Sequence, residues 1–425
     1  MATIAEKILG EKAGRDTAAH AGEIVECEVD YIMVNDVTGV PAFEVFEELG
    51  REDELQREKV VVVQDHYVPN KDVASAEQAK ALRMYARRYG LEHYYEIGRG
   101  GVCHQVMIED GFAAPGRLII GADSHTCSYG ALGAFSTGVG STEAAAAMAT
   151  GRLWFKVPET QKFVINGTLQ PYVMGKDIIL HIIGDIGVSG SLYKAQEFYG
   201  TAIEHLSLSD RITISNMAIE SGGKAGIISP DDKVFEFLKG RVRGEYTPVY
   251  ADGNEADYEA LFEYDAADIV PTVAKPFLPE NTAPARELDI PIDQAYLGSC
   301  TNGRIEDLRV AAELLKGHKV KPDVRMIVVP ASDKVFQQAI DEGLIQTFLN
   351  AGAFVCGPTC GACLGGHMGV LAKDERCVSS TNRNFIGRMG HKDSEVYLAS
   401  PAVVAASAIT GRITDPNELS LKRKV

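Results

Sequence analysis

Gln294-Ala-Tyr-Leu-Gly-Ser-Cys-Thr-Asn-Gly-Arg-Ile-Glu-Asp-Leu308 is a short apolar run, a glycine-bounded turn and the opening of a helical pattern. A strand is predicted over Gln294–Leu297 and a helix over Glu306–Leu315, with Cys300 in the turn between them. The same unit recurs in both directions. Towards the C-terminus come strand Val324–Val329, helix Asp333–Asn350, strand Ala353–Cys356 and helix Pro401–Thr410. Towards the N-terminus come strand Lys59–Val63, helix Asp72–Arg88, strand Arg117–Ile120 and helix Ser141–Thr150. Such alternation predicts α/β layers on mainly parallel sheets. Glycines collect where strands end, as in Gly130–Gly140 and Gly357–Gly369, and ligands of open α/β sheets bind beyond those ends. Breaks near Val157-Pro158-Glu159-Thr160 and across Asp265–Arg286 divide the chain into three α/β domains, 1–158, 159–275 and 276–425.

Composition narrows the function classes. The net charge of −17 repels phosphate backbones, and no basic stripe offsets it, so nucleic acid is not an expected partner. The one basic cluster, Lys422–Arg423–Lys424, reads as a solvated tail. No apolar run reaches membrane-spanning length, and Met1-Ala-Thr-Ile-Ala-Glu-Lys is not a signal peptide. The expected location is therefore cytoplasmic, without a membrane partner. Eight scattered cysteines in a long chain point to metal chemistry or buried thiols rather than a disulfide framework.

Cys360-Gly-Ala-Cys363 lies in a glycine-rich loop after a predicted strand. A redox dithiol would open a helix, which Leu-Gly-Gly opposes, and zinc would need two more ligands at ribbon spacing. Cys300 also follows a strand, and loops at the ends of neighbouring strands converge, so it joins Cys360 and Cys363 as a three-thiolate set. On a four-iron cluster such a set leaves one iron open to substrate as a Lewis acid. The competing triad is Cys356, Cys360 and Cys363, the spacing of enzymes that cleave S-adenosylmethionine. Those are barrels, and too little chain follows Cys363 to build one. Cys356 also ends an apolar strand, where an inert thiol is expected.

Titratable residues gather in loops: Asp65 and His66, His104, Asp123 with Ser124 and His125, and Glu220. An Asp–His pair orients an imidazole and raises its basicity, which suits it to protonate a leaving hydroxyl. Arg383 and Arg388 share a glycine-containing loop and suit a carboxylate clamp.

With these motifs in order (GADSHT, GSCTNGRIEDL, GPTCGACLG, NRNFIGR), the chain resembles the aconitase superfamily along nearly its whole length. The resemblance implies three α/β/α-layered domains around one [4Fe–4S] cluster with an open iron, held by Cys300, Cys360 and Cys363. Asp65 and His66 match the pair that protonates the departing hydroxyl, and His104, Asp123, His125 and Glu220 the surrounding acid–base set. Asn35, Ser124, Asn216 and Asn382 match polar pocket positions, with Asn35 in place of the glutamine of true aconitases. Arg383 and Arg388 match the substrate-carboxylate arginines. The swivelling C-terminal domain of single-chain members is not recognisable here, so the resemblance implies a large subunit paired with a small subunit that carries it. The implied activity is dehydration and rehydration of a small hydroxy-dicarboxylate, 2-isopropylmalate first, with homoaconitate or methylmalate and dimethylmalate as alternatives. An RNA-binding regulator is opposed by the charge.

Overall fold

Val60–Val63 is four consecutive valines buried along their whole length, as a parallel strand covered on both faces requires. The computed structural model describes residues 2–422, so Arg423 and Lys424 of the basic cluster lie outside the described residues. In it, Val60–Val63 belongs to a five-stranded parallel sheet. The strands lie in the order His93–Tyr95, Val60–Val63, Tyr31–Asn35, Leu118–Gly121, Phe135–Gly138. Numbered along the chain this order is 3-2-1-4-5. The direction of winding therefore reverses between Tyr31–Asn35 and Leu118–Gly121, and the crevice beyond those two strand ends is the preferred ligand position.

The chain forms two compact units. The first takes residues up to Ile97, Cys103–Asn166 and Ser191–Tyr264, and holds this sheet. It also holds a four-stranded sheet ordered Ala225–Ile228, Ala195–Tyr199, Thr160–Asn166, Ala260–Asp265 and the antiparallel pair Ile24–Glu28 and Arg152–Lys156.

The second unit takes Gly98–Val102, Gly167–Gly190 and the chain from Asp265 on. Its seven-stranded sheet repeats the scheme. Phe354–Val355, Arg325–Val328, Gln294–Leu297, Arg376–Ser379 and Glu395–Ala399 run parallel, again 3-2-1-4-5, and Thr272–Ala274 and Thr282–Pro284 extend it antiparallel. Here the switch lies between Gln294–Leu297 and Arg376–Ser379, so the loops that start at Gly298 and Ser380 share one crevice. Helix Ile305–Leu315 packs Leu308, Ala311, Ala312 and Leu315 into the core beneath the sheet, with Val403 and Val404 of helix Pro401–Thr410. Each buried Val or Leu side chain contributes about 1.5–3 kcal/mol. The α/β class and largely parallel pairing agree with the alternation in the sequence, and among the described residues no sheet closes into a barrel.

Two elements differ from expectation. The helix expected over Asp333–Asn350 is two helices, Asp333–Asp341 and Leu344–Ala351. Gly343 breaks it at φ 73°, a left-handed conformation that glycine adopts without a Cβ penalty. The strand expected over Ala353–Cys356 keeps only Phe354–Val355; Cys356 lies just past its end, donating its N–H to Val328 O at 3.1 Å.

Candidate active site

The loops beyond the five-stranded sheet carry the first unit's polar set. Asp36, directly after Tyr31–Asn35, accepts the N–H groups of Asp65 at 3.1 Å and of His66 and Tyr67 at 2.8 Å. It thereby fixes the next loop. Asp65 is held at both oxygens: Oδ2 accepts the Cys103 N–H at 2.7 Å, at the start of helix Cys103–Glu109, and Oδ1 lies 2.6 Å from His66 Nδ1. With Nδ1 committed to Asp65, His66 presents Nε2, which stands 3.6 Å from Asp123 Oδ2.

Asp123 is the hub. It caps the turn Ser124–Leu132, accepting the His125 N–H at 2.9 Å. Its carboxylate lies 3.0 Å from His104 Nε2, 3.5 Å from His125 Nδ1 and 3.4 Å from Asn35 Nδ2. His125 Nε2 meets Glu220 Oε1 at 2.9 Å, and His104 Nδ1 meets the Tyr129 hydroxyl at 2.9 Å. Asn216 donates to Ser128 Oγ at 2.9 Å. The Asn35 carboxamide oxygen is taken up by its own loop, accepting Val37 and Thr38 N–H groups at 3.0 and 3.1 Å. In this unit the structure thus brings Asn35, Asp65, His66, His104, Asp123, His125 and Glu220 into one network, with Ser124 next to Asp123 and half-buried. Asp123 keeps 16 % of its side chain accessible and His66 10 %, against 3 % for His104 and 1 % for Glu220. Of these four, Asp123 and His66 are thus the more accessible.

The electrostatics follow. Burial pulls the His66 imidazole down, but Asp65, Asp123 and Asp36 outweigh it and hold its pKa well above the ordinary value. Burial likewise opposes charge on Asp123, yet His104, His125 and His66 keep its carboxyl well below the usual range. Burial and Asp65 push Asp36 up. An imidazolium flanked by carboxylates is a loaded proton donor. Asp36→Ala should leave three loop N–H groups without their acceptor and cost about 2 kcal/mol or more. Chemical denaturation would show this as an earlier midpoint, and an unchanged midpoint would mean that the loop does not depend on Asp36.

The second unit's set follows Gln294–Leu297 and Arg376–Ser379. Ser299 turns the chain at φ 77° and accepts the Thr301 N–H at 3.2 Å on its own hydroxyl. Arg304, buried at the cap of helix Ile305–Leu315, donates to the Cys300 carbonyl at 2.8 Å and also to that of Thr301. Asp307 accepts from Asn302 Nδ2 at 2.9 Å and from the Arg304 N–H at 3.0 Å. The Cys300 loop is thus tied to its helix. Asn382 joins two of the expected ligands: its Nδ2 lies 3.4 Å from Cys300 Sγ, and Cys363 Sγ lies 3.5 Å from its Oδ1. Cys360 opens the turn Gly361–Leu364, and Tyr296 donates its hydroxyl to the Cys360 carbonyl at 3.4 Å. A Cβ at Gly361 would come within 2.5 Å of that hydroxyl, so glycine keeps the loop close.

Cys300, Cys360 and Cys363 are all buried in loops that follow parallel strands, and Asn382 links the first to the last. Three soft donors, two of them beside a side-chain amide, suit an iron–sulfur centre. Cys356 is different. Burial pushes its thiol up to about 11, and its Sγ faces only the Val328 carbonyl, at 3.6 Å. Arg383 is half-buried with its guanidinium 6.0 Å from the Phe385 ring, and Arg388 keeps a buried Nε that meets no acceptor in the structure.

Sequence reasoning missed Asp36, Arg304, Asp307, Tyr129 and Lys176. It also passed over Cys103, whose thiol stands within 4.8 Å of donor atoms of Asp65 and His66. Asp36, which directly follows a strand, was the most findable of them. Among the described residues no helix is long and apolar enough to cross a membrane.

The profile of the Aconitase family (aconitate hydratase) matches residues 6–288 and 281–411. The chain is 56% identical over 418 residues to a 3-isopropylmalate dehydratase large subunit of Halothermothrix orenii, covering 98% of this chain and 99% of that one. It is 56% identical over 420 residues to 3-isopropylmalate dehydratase large subunit 1 of Pyrococcus abyssi, covering 98% and 99%. Against the 3-isopropylmalate dehydratase large subunit of Aquifex aeolicus it is 54% identical over 423 residues, covering 98% and 97%.

Proposed function

Since this chain belongs to the aconitase family, we propose that it is the large subunit of a two-chain hydro-lyase that interconverts 2-isopropylmalate and 3-isopropylmalate, a step of leucine biosynthesis. That near-full-length relatives are 3-isopropylmalate dehydratase large subunits supports the substrate and the subunit role. The observation that carries the chemistry is His66, oriented by Asp65 at 2.6 Å, with flanking carboxylates that hold its pKa well above the ordinary value.

Cys300, Cys360 and Cys363 would hold a [4Fe–4S] cluster, with Asn382 beside two of them. When bound, such a cluster with one iron free of protein ligands supplies a Lewis acid for the substrate hydroxyl and carboxylate. The chain's own residues do the rest. His66 Nε2 gives its proton to the leaving hydroxyl, and in the reverse direction takes one from water. Asp65 keeps the imidazole in that tautomer, and Asp123, steadied by Asn35, His104 and His125, stabilises the imidazolium. Glu220 holds His125 in place. Arg383 and Arg388 clamp substrate carboxylates, to which the unmet Nε of Arg388 contributes a donor. Ser124 and Asn216 supply further polar contacts. None of these residues is an evident base for the carbon-bound proton, and we assign that base to the small subunit.

The test is reconstitution. The chain alone should show only trace hydration of isopropylmaleate, because an oriented base is worth about 10²–10⁴ in rate. Adding the small subunit of a 3-isopropylmalate dehydratase should restore turnover. A small subunit from a homoaconitase should move the preference towards homoaconitate, since the residues here recognise the carboxylates shared by both substrates. Full activity without a partner, or a preference that ignores the exchange, would defeat this reading.

A further inference from the structure

Lys176 lies in the first turn of helix Gly175–Ile186 and has no accessible surface. Its Nζ donates to the main-chain carbonyls of Ser380 at 2.9 Å and Thr381 at 2.5 Å. Among the described residues it forms no ion pair with a carboxylate. Asp177, the next residue, turns its oxygens to the N–H groups of Thr272 and Met174, each at 2.8 Å. Asp307 is taken by Asn302 and Arg304. A buried ammonium is costly unless anions compensate it, and the two nearby carboxylates, Asp177 and Asp307, are both hydrogen-bonded to other groups.

Burial pulls the Lys176 ammonium down to about 7, and the charges that pull it back up are Cys363 foremost, then Asp177, Asp307 and Cys300. The loop it grips runs from Ser380 directly into Asn382, whose amide touches the sulfurs of Cys300 and Cys363. Ser380 in turn accepts the Gly298 N–H on its hydroxyl at 2.9 Å. One ammonium therefore bears on the loop that carries Asn382 and, through Ser380, on the loop that carries Cys300. A cluster held by three thiolates bears net negative charge, and net charge together with nearby hydrogen bonding sets its potential and its retention.

We infer that Lys176 is the internal counter-cation of the iron–sulfur centre, a positioning residue that offsets its negative charge while fixing Ser380–Asn382 against it. This rests on the cluster reading above. Lys176 touches no substrate in this scheme; it acts through the centre's charge.

Charge and hydrogen bonding separate in two variants. Lys176→Gln removes the charge but keeps a donor for the two carbonyls; Lys176→Met removes both. The anaerobically purified complex with its small subunit is titrated electrochemically while the reduced cluster is followed by electron paramagnetic resonance. Release of iron to a chelator is timed in parallel. Both variants should show a more negative midpoint than wild type and lose iron several-fold faster. Lys176→Arg, which keeps the charge, should stay close to wild type. A wild-type potential in Lys176→Gln, or an equal shift in Lys176→Arg, overturns the counter-cation and leaves a purely structural lysine. Wild-type protein with no iron–sulfur signal at all refutes the cluster reading instead.

Discussion

Replacing His66 by asparagine is expected to lower kcat/KM of the assembled enzyme by about 10²–10⁴-fold, the usual worth of a positioned general acid. The protein should still fold, since His66 contributes one ring to a network whose backbone is fixed by Asp36 and Asp65. Asp65→Asn is the companion test. It keeps the ring but removes the strongest of the attractions that raise its pKa. Without that carboxylate the imidazolium should lose its proton at lower pH, so the alkaline limb of kcat/KM moves down the pH scale. The sign for stability is the same. A His whose folded pKa is raised stabilises the fold fully below its unfolded value of about 6.5 and loses that contribution as pH climbs through the folded value. Asp123 acts oppositely, contributing above about 3.9 and losing it as pH falls through its depressed value. Their joint contribution should thus be greatest between about pH 3.9 and 6.5 and decline on both sides. Should His66→Asn retain activity within a few-fold of wild type, the proton comes from elsewhere and the assignment of His66 fails.

Much of this arrangement was legible before any coordinates, for definite reasons. Val60–Val63 and Gln294–Leu297 are short apolar runs closed by loop residues, and their alternation with helical patterns already implies parallel sheets. The loops after them carry the chemistry because α/β sheets present ligands there, so Asp65, His66, Cys300 and Cys360 stood out. Asp36 and Lys176 did not. An aspartate after a strand and a lysine opening a helix look like ordinary surface residues, and only tertiary packing shows that both are buried. Arg304 was hidden for a related reason: its guanidinium serves the carbonyls of Cys300 and Thr301, and main-chain carbonyls leave no mark in a sequence. The 3-2-1-4-5 order shared by the two large sheets was also invisible, because strand order is set by long-range pairing. Gly343 could have been read as a break, but the apolar spacing on both sides continues in helical phase and masks it.

Cys300→Ser and Cys360→Ser should each abolish cluster retention and with it all measurable turnover, whereas Cys356→Ser should leave both largely intact. The three cysteines differ in placement rather than in burial. Cys300 and Cys360 sit in turns that follow parallel strands, with Arg304 and Tyr296 holding the carbonyl of each. Cys356 still belongs to the sheet edge. Its N–H and Sγ both address the Val328 carbonyl, which commits the residue to the sheet. Serine at Cys356 exchanges a weak donor for a stronger one facing the same carbonyl, a small change for the fold. At Cys300 it replaces a soft anionic ligand by a hydroxyl that stays protonated, and two remaining thiolates do not hold a four-iron core against oxidants. The measurement is iron and inorganic sulfide per chain in anaerobically purified variants, together with the visible absorption shoulder that air should bleach. Retention in Cys300→Ser together with loss in Cys356→Ser would transfer the centre to Cys356, Cys360 and Cys363. Stoichiometric zinc without sulfide in the wild type would remove the iron–sulfur assignment altogether.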